Sequence, residues 1–286
     1  MTSYHYDTLP LSDGIHHFDA IFYRPKDQVL QKIILYFHGG GLIFGQKEDL
    51  PTPFLEQFAA HGIGILAVDY PLAPAHSLEE IIQQTRQIAE CFLDFLHEHQ
   101  LKIPYYIFGR SAGGYLALHA GLHLIHNSNH LPAGMILLYS YFNLTDAAFL
   151  MPNRYYQQFP MLDAGASQRL IQKAMRTQLT AQEAFLIYLN ARQKGKWMDI
   201  LTKEASHLKK FSLTKEEIKT LPPLFIASAT HDTDVPSRQS RQLANFHPNA
   251  TLLMIEEKGH DIDRTFIETH GMRIYKAMIH WMELHN

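Results

Sequence analysis

The stretch FGRSAGGYLAL, from Phe108 to Leu118, places one hydroxyl side chain, Ser111, between two glycines. It follows the apolar run PYYI, which is typical of a buried strand, and it continues into a run that is compatible with a helix. A phosphate-binding loop needs more glycines and often a lysine, whereas a tight turn from a strand to a helix needs this spacing. We therefore predict a turn that presents the Ser111 side chain at the end of a strand.

The composition is typical of a soluble globular protein. The 286 residues are 46% hydrophobic and 19% charged, with a formal net charge of −3. That size is sufficient for one α/β domain with a large core. The charge balance provides no basic surface for nucleic acid or an anionic membrane, and no run approaches the ~20 apolar residues of a membrane span. The first residues lack the features of a signal peptide, so we expect a cytoplasmic protein.

Apolar runs alternate with helical patterns over most of the chain. The predicted strands lie in HHFDAIFYRP, KIILYFHGG, GIGILAVDYPLAP, PYYIFG, AGMILLYS, PPLFIASATHD and ATLLMIEEKGHD. A long amphipathic helix follows the third strand, where Ser77 and Glu80 fit a capping box. Continuous apolar strands separated by helices predict a mostly parallel sheet covered on both faces. The alternation stops from about 142 to 221, and we interpret this segment as an insertion into a single domain of residues 1–286.

The ends of several predicted strands carry the groups that a serine nucleophile needs. A serine hydroxyl attacks when a base removes its proton, and that base needs an acid to orient it. Asp232 or Asp234 in HDTDVP follows one strand, and His260 in KGHD follows the next. Upstream, HGGG follows KIILYF, and its glycines allow bare backbone amides to approach a substrate oxygen. The chain order Ser, Asp, His is the one associated with α/β-hydrolases.

With GRSAGG and DYPLAPAHSLEE, these motifs make the chain resemble the hormone-sensitive-lipase-like carboxylesterases of the α/β-hydrolase superfamily. The resemblance covers about residues 38 to 261. It implies an α/β-hydrolase fold with a helical cap, which here is expected from the insertion. It also implies three catalytic residues, namely Ser111 as nucleophile, His260 as general base and then acid, and Asp232 as orienting acid. The implied oxyanion hole consists of the backbone amides of Gly40, Gly41 and Ala112. No metal and no organic cofactor are implied.

The two acids of HDTDVP need different roles, because two residues of spacing point their side chains in different directions. In the family pattern that D-x-x-V-P resembles, the triad acid stands three residues before the valine, which selects Asp232. We expect Asp234 to form a turn or to cap the helix predicted in VPSRQSRQLANF. His38 and Asp69 are expected to organise the loops in which they lie.

A run of histidines follows Ser111 in the same predicted helix. His119, His123, His126 and His130 recur at i, i+4, i+7 and i+11, a spacing that is compatible with a zinc site. However, NSN is expected to end the helix before His130, and no cysteine or nearby carboxylate joins the group. Partly buried histidines without a metal are therefore the favoured interpretation. The single cysteine, Cys91, is expected to pack as a small core residue.

The predicted function is a serine carboxylesterase that hydrolyses small, short-acyl carboxylic esters through an acyl-enzyme on Ser111. A serine peptidase or amidase stays open, because the triad does not distinguish an ester from an amide. The alternative of a different class is a non-catalytic small-molecule receptor, although such proteins commonly lose the catalytic histidine or acid. The expected partner is a small-molecule ester, and the sequence leaves a homo-oligomer open.

Overall fold

Eight strands form one sheet among residues 2–12 and 14–285, the part of the chain that this computed structural model describes. In chain order the strands are β1 (Tyr4–Ser12), β2 (His17–Pro25), β3 (Lys32–Phe37), β4 (Ile63–Val68), β5 (Tyr105–Arg110), β6 (Gly134–Leu138), β7 (Leu224–His231) and β8 (Ala250–Lys258). They lie in the order β1-β2-β4-β3-β5-β6-β7-β8. Strand β2 is antiparallel to both neighbours and the pairs from β4 to β8 are parallel, which confirms the mostly parallel sheet.

The sequence patterns missed β1. This strand lies at the edge of the sheet, where it pairs with β2 from Tyr4 opposite Pro25 to Ser12 opposite His17. Most of its side chains are exposed, and Leu11 is its buried residue. An edge strand that buries so little does not show the apolar run by which the other strands were identified.

Helices cover both faces of the sheet. They are α1 (Thr52–Ala60), α2 (Leu78–Glu98), α3 (Ala112–Asn127), α4 (Ala147–Leu150), α5 (Ala164–Ala174), α6 (Ala181–Lys194), α7 (Trp197–Leu201), α8 (Ala205–Lys210), α9 (Lys215–Thr220), α10 (Arg238–Phe246), α11 (Ile262–Thr265) and α12 (Met272–Leu284), with a 3₁₀ turn at Tyr156–Gln158 and a π-helical turn at Ile267–Gly271. None of the helices in the described part of the chain is long and apolar enough to cross a bilayer.

Strand β3 shows how the sheet separates two apolar cores. Ile33 and Leu35 join the core that contains residues of α2 and α3. Ile34 and Tyr36 join the opposite core, which contains residues of α1 and α12. Successive side chains of a strand point to opposite faces, so a strand that is apolar throughout must be covered on both sides.

The long helix α2 begins as the sequence predicts. Glu80 N donates to Ser77 Oγ at 3.3 Å, and Ser77 N donates to Glu80 Oε2 at 2.7 Å, which completes the capping box. Two otherwise unpaired amides at the start of the helix are thereby satisfied. Cys91 on the same helix is fully buried.

Between β6 and β7 the chain forms α4 to α9 and the 3₁₀ turn instead of one crossover helix. Tyr156, Tyr188 and Trp197 from this segment belong to the same apolar core as α2 and α3. By contrast, α5 has no fully buried residue and lies on the outside. The segment is therefore anchored by its aromatic side chains at the end of the sheet where β3, β5 and β7 terminate.

Candidate active site

Ser111 lies at the tight turn between β5 and α3. Its φ of 51° is in the left-handed region, which a residue with a side chain rarely adopts unless its surroundings hold it there. The Ser111 amide donates to Leu138 O at 2.8 Å, at the end of β6. A Cβ on Gly113 would lie 2.1 Å from Phe37 O, so only glycine allows α3 to approach β3 this closely. The turn is therefore fixed on both sides of Ser111.

Three side chains from the ends of parallel strands meet at this turn. His260 Nε2 lies 2.8 Å from Ser111 Oγ. His260 Nδ1 lies 2.8 Å from Asp232 Oδ2 and 3.0 Å from Asp232 Oδ1. Asp232 follows β7 directly, and its Oδ1 also accepts hydrogen bonds from the amides of Asp234 and Val235. This geometry can pass a proton from the Ser111 hydroxyl to the imidazole, with the carboxylate holding the ring in place.

The carboxylates around His260 favour the protonated form of its imidazole. Burial by itself lowers the pKa of His260, but the Asp232 carboxylate, helped by Asp234 and Asp261, raises it above the usual range for histidine. Burial also raises the pKa of Asp232, against the opposing effect of His260 and the backbone amides. The ion pair that forms when His260 takes a proton is thus stabilised inside the protein.

The glycines of HGGG form the loop that follows β3. Gly40 has a φ of 117° and Gly41 a φ of 61°. Both residues line the same cavity as Ser111, and within the described residues neither amide donates to another backbone group. The Ala112 amide begins α3, where the first N–H groups have no acceptor in the helix. These three amides are therefore available to an oxygen bound beside Ser111.

His38 and Asp69 support this loop. The buried His38 ring stacks on Tyr70 with ring centroids 4.1 Å apart, and its Nδ1 lies 2.7 Å from Gly39 O. Asp69 accepts hydrogen bonds from the backbone amide of Lys47 at 2.8 Å and from its Nζ at 2.6 Å. His38 thus contacts the backbone of the glycine loop, and Asp69 holds Lys47, which lies further along the same loop.

A cavity of about 580 Å³ opens above Ser111. Four aromatic residues line it: Phe44, Tyr156, Phe185 and Tyr188. The Phe44 ring packs against the rings of Phe185 and Tyr188, with centroids 5.4 Å apart in each pair. A larger cavity of about 840 Å³ lies between the end of α2 and the start of β5, at the opposite end of the sheet, so size alone does not single out the cavity above Ser111.

The side chain of Asp234 makes different contacts from those that the sequence pattern predicted. Helix α10 is preceded by Ser237, and the Asp234 side chain turns into the interior instead of capping it. Asp234 Oδ2 accepts hydrogen bonds from Tyr156 Oη at 2.9 Å and Tyr188 Oη at 2.5 Å. Its Oδ1 accepts from Arg192 Nε at 2.9 Å. The prediction of a turn former or cap was wrong, because donors from the distant segment before β7 outcompete the local backbone.

The pair of Asp234 and Arg192 is fully buried. Burial alone would raise the pKa of Asp234, but the Arg192 charge and the two tyrosine hydroxyls lower it below the usual range. Arg192 also donates to the backbone oxygen of Asp234 at 2.9 Å. The ion pair therefore joins α6 firmly to the loop that carries Asp232.

A second buried charge network lies on the other side of Ser111. Arg110, which precedes Ser111, donates to Asp49 Oδ2 at 2.5 Å and to Asp263 Oδ2 at 3.2 Å. Tyr139 Oη donates to Asp263 Oδ1 at 2.6 Å, and the Tyr139 ring packs edge-on against His260. Arg110 belongs to none of the motifs in the sequence, but a charged residue within the apolar strand β5 requires buried partners, and this is the signal that could have identified it.

The histidines of α3 do not converge on one point. His119 is buried and its Nε2 lies 3.1 Å from Phe211 O, whereas His123 Nε2 lies 2.7 Å from Glu90 Oε1 on α2. Glu90 is distant in sequence from His123 and close to it only in the fold. Helix α3 ends at Asn127, before His130. In the described part of the chain, no group of three or more His, Cys, Asp or Glu side chains is placed to hold a metal ion.

Comparison with known families identifies the fold. A family model described as the alpha/beta hydrolase fold matches residues 34–262, which include the loop after β3, the Ser111 turn and His260. The chain belongs to the α/β-hydrolase fold family. As the sequence predicts, the sheet of this chain is mostly parallel, and it places Ser111, Asp232 and His260 at the carboxyl ends of its strands.

Solved structures resemble the chain over nearly its whole length. A Staphylococcus aureus protein of unknown function has a TM-score of 0.81 and 27% identity, covering 98% of this chain and 99% of that one. An alpha/beta hydrolase superfamily protein from Enterococcus faecalis has a TM-score of 0.78 and 25% identity, covering 97% of each chain. Both support the same fold.

A curated relative matches a shorter part of the sequence. An acetyl esterase of Salmonella schwarzengrund is 30% identical over 124 residues, which are 41% of this chain and 37% of that protein. The match thus spans little more than a third of the relative's length.

Proposed function

We propose that this protein is a serine esterase that hydrolyses carboxylic esters with short acyl chains. The observation that carries the proposal is the hydrogen-bonded chain from Ser111 Oγ to His260 Nε2 and from His260 Nδ1 to Asp232, at the edge of an open cavity. The similarity to an acetyl esterase supports the same class of substrate. The required groups for acyl transfer are a nucleophile, a base, an orienting acid and oxyanion donors.

In the proposed reaction, Ser111 Oγ attacks the ester carbonyl carbon while His260 Nε2 takes the proton of the Ser111 hydroxyl. The carbonyl oxygen becomes an oxyanion that accepts hydrogen bonds from the amides of Gly40, Gly41 and Ala112. The bond to the alcohol oxygen then breaks, and His260 donates the proton to that leaving group. A water molecule next attacks the acyl group on Ser111, with His260 again taking and returning the proton, which releases the carboxylic acid and restores the hydroxyl.

The preference for short acyl chains rests on the cavity wall. Three of its four aromatic residues, Tyr156, Phe185 and Tyr188, belong to the segment between β6 and β7. Tyr156 and Tyr188 are fixed by hydrogen bonds to Asp234, so their rings cannot easily swing away to admit a long chain. A wall of fixed aromatic side chains restricts the length of the group that fits.

The test is a series of p-nitrophenyl esters from acetate to decanoate, measured beside aminoacyl nitroanilides. We expect kcat/KM to be highest between acetate and butyrate and to fall for chains of about eight carbons. Rates that keep rising through octanoate and decanoate would overturn the short-acyl preference. Faster cleavage of nitroanilides would make the protein an amidase. A fluorophosphonate probe should label the wild-type protein and not Ser111→Ala, and absence of labelling would contradict the serine mechanism.

A further inference from the structure

The loop that is proposed to bind the oxyanion contains consecutive glycines, which restrict the backbone little. Glycine has no side chain to restrict φ and ψ, so consecutive glycines give the backbone freedom as well as access. Gly40 and Gly41 both have positive φ, and Leu42 continues with a φ of 61°. A leucine in this region is unfavourable and must be held by its surroundings. Contacts from outside the loop therefore add to the hydrogen bonds that the amides of Ile43 and Phe44 donate to Gly40 O within it.

Two residues from the segment between β6 and β7 contact the loop at one point. Trp197 Nε1 donates a hydrogen bond to Gly41 O at 2.9 Å, and Trp197 is almost completely buried. The Tyr188 ring also lies against this residue, since a Cβ on Gly41 would be 2.2 Å from Tyr188 Cε2. The Gly41 peptide groups are thus held by a hydrogen bond and by ring packing.

The Trp197 indole is itself held by the charge network of the neighbouring loop. The Arg192 guanidinium lies 4.9 Å from the Trp197 ring centroid, and it donates to Asp234 Oδ1 at 2.9 Å. Asp234 N in turn donates to Asp232 Oδ1 at 2.8 Å. A continuous set of contacts therefore links the Gly41 carbonyl to the carboxylate that orients His260.

We propose that Trp197 is a positioning residue that holds Gly41 so that the amides of the loop face the oxyanion. The inference rests on the proposed esterase function. Trp197 touches the loop through the backbone of Gly41 and is not among the residues that line the cavity over Ser111. Its loss should therefore affect the transition state, in which the oxyanion forms, more than the binding of the uncharged ester.

The chain provides a matched control for this test, because it contains two tryptophans. Trp281 on α12 is also buried, but its Nε1 has no hydrogen-bond partner among the described residues. Trp197→Phe and Trp281→Phe therefore remove the same atoms from buried sites, and only the first removes a hydrogen bond to the loop. We expect Trp197→Phe to lower kcat on p-nitrophenyl acetate about tenfold to thirtyfold, with KM changed less than about twofold. Trp281→Phe should keep both values within about twofold.

A second measurement does not depend on folding of the variants. Diethyl p-nitrophenyl phosphate transfers its diethylphosphoryl group to Ser111 Oγ, while His260 takes the hydroxyl proton and p-nitrophenolate leaves. The adduct has a phosphoryl oxygen in the position of the oxyanion. In ¹⁵N-labelled wild-type protein, the indole N–H resonance of Trp197 should shift on adduct formation, while that of Trp281 should not. This distinguishes coupling to the oxyanion from a purely structural role of Trp197.

The outcomes separate the inference from the proposed function. A lower kcat for Trp197→Phe alone, or a resonance shift confined to Trp197, supports the positioning role. An unchanged kcat in a folded Trp197→Phe variant, an equal loss in both variants, or an unshifted Trp197 resonance in an adduct that has formed overturns it. If the wild-type protein neither hydrolyses the ester nor forms the adduct, the proposed function fails and this inference fails with it.

Discussion

Tyr188 Oη donates a 2.5 Å hydrogen bond to Asp234 Oδ2, and this contact joins helix α6 to the loop that carries Asp232. The same tyrosine lines the cavity above Ser111 and packs against Gly41. One side chain from the segment between β6 and β7 thus contacts both the acid loop and the glycine loop. The segment therefore does more than cover the cavity, since it also connects the loops on its two sides.

Replacement of Ser111 by alanine should abolish ester hydrolysis and leave the fold intact. The hydroxyl is the only group removed, and it contacts His260 Nε2 at 2.8 Å. His260→Ala should lower kcat to a similar extent, within about tenfold, because residues of a triad act as a unit. The assay is p-nitrophenyl acetate hydrolysis beside circular dichroism of each variant. Appreciable turnover by folded Ser111→Ala would exclude this serine as the nucleophile.

The two acids after β7 should differ in the property that each controls. Asp232→Asn should lower kcat by roughly 10³ to 10⁴, because an amide favours the wrong tautomer of His260. Asp234→Asn should change kcat less than about tenfold but lower the free energy of unfolding by about 3 kcal/mol, because it leaves the buried Arg192 charge uncompensated. Urea denaturation and kinetics on p-nitrophenyl acetate measure both effects. The reverse ranking of the two kcat losses would assign Asp234 as the orienting acid.

A double variant tests the cause of the instability. Arg192→Met combined with Asp234→Asn should be less destabilising than the sum of the two single changes, because the double variant contains no unpaired buried charge. Strict additivity of the unfolding free energies would argue against the ion pair as the origin of the effect.

The pH dependence of kcat/KM should follow the protonation of His260. The imidazole must be neutral to accept the Ser111 proton, so activity falls as the pH decreases through its pKa. Asp232, Asp234 and Asp261 raise this pKa, so the acid limb should lie above the usual histidine value of about 6.5. Asp261→Asn removes one of these charges and should move the limb to lower pH by a few tenths of a unit. The control is Asp94→Asn on α2, away from the cavity, which should leave the acid limb in place. Equal pH profiles for both variants would disprove the contribution of Asp261.

His119 should make the protein less stable in mild acid. Burial, with a smaller effect of Arg86, lowers the pKa of His119 to about 3, so the folded state keeps a neutral ring where the unfolded chain binds a proton. The contribution of neutral His119 to the free energy of unfolding is fully present above about pH 6.5. Below that pH it decreases by about 1.4 kcal/mol per pH unit, until the pKa of the folded state is reached. Between pH 6.5 and 5.0 this contribution is about 2 kcal/mol.

The test compares urea midpoints at pH 7.5 and 5.0. His119→Gln keeps an N–H donor for Phe211 O and removes the titration, so its stability should depend less on pH than that of the wild-type protein. His126→Gln, at an exposed position of the same helix, should keep the wild-type dependence. If all three proteins lose the same stability between the two pH values, His119 is not the responsible group.

The sequence by itself determined the sheet and the place of Ser111. The turn between β5 and α3 follows from a glycine before and after the serine, and the strand runs that precede Asp232 and His260 are visible in local apolar patterns. These signals work because strand and helix periodicity depend on residues a few positions apart. The exception is β1, since an edge strand buries too few side chains to show such a pattern.

Only the tertiary structure decided which buried polar groups meet. Arg192 precedes Asp234 by 42 residues, and Trp197 follows Gly41 by 156. A local pattern can predict that Asp234 caps a helix, but it cannot show that three donors from another segment bind the carboxylate instead. A buried charge needs a partner, and for Arg192 and Asp234 that partner depends on how the segment between β6 and β7 packs back onto the ends of the strands.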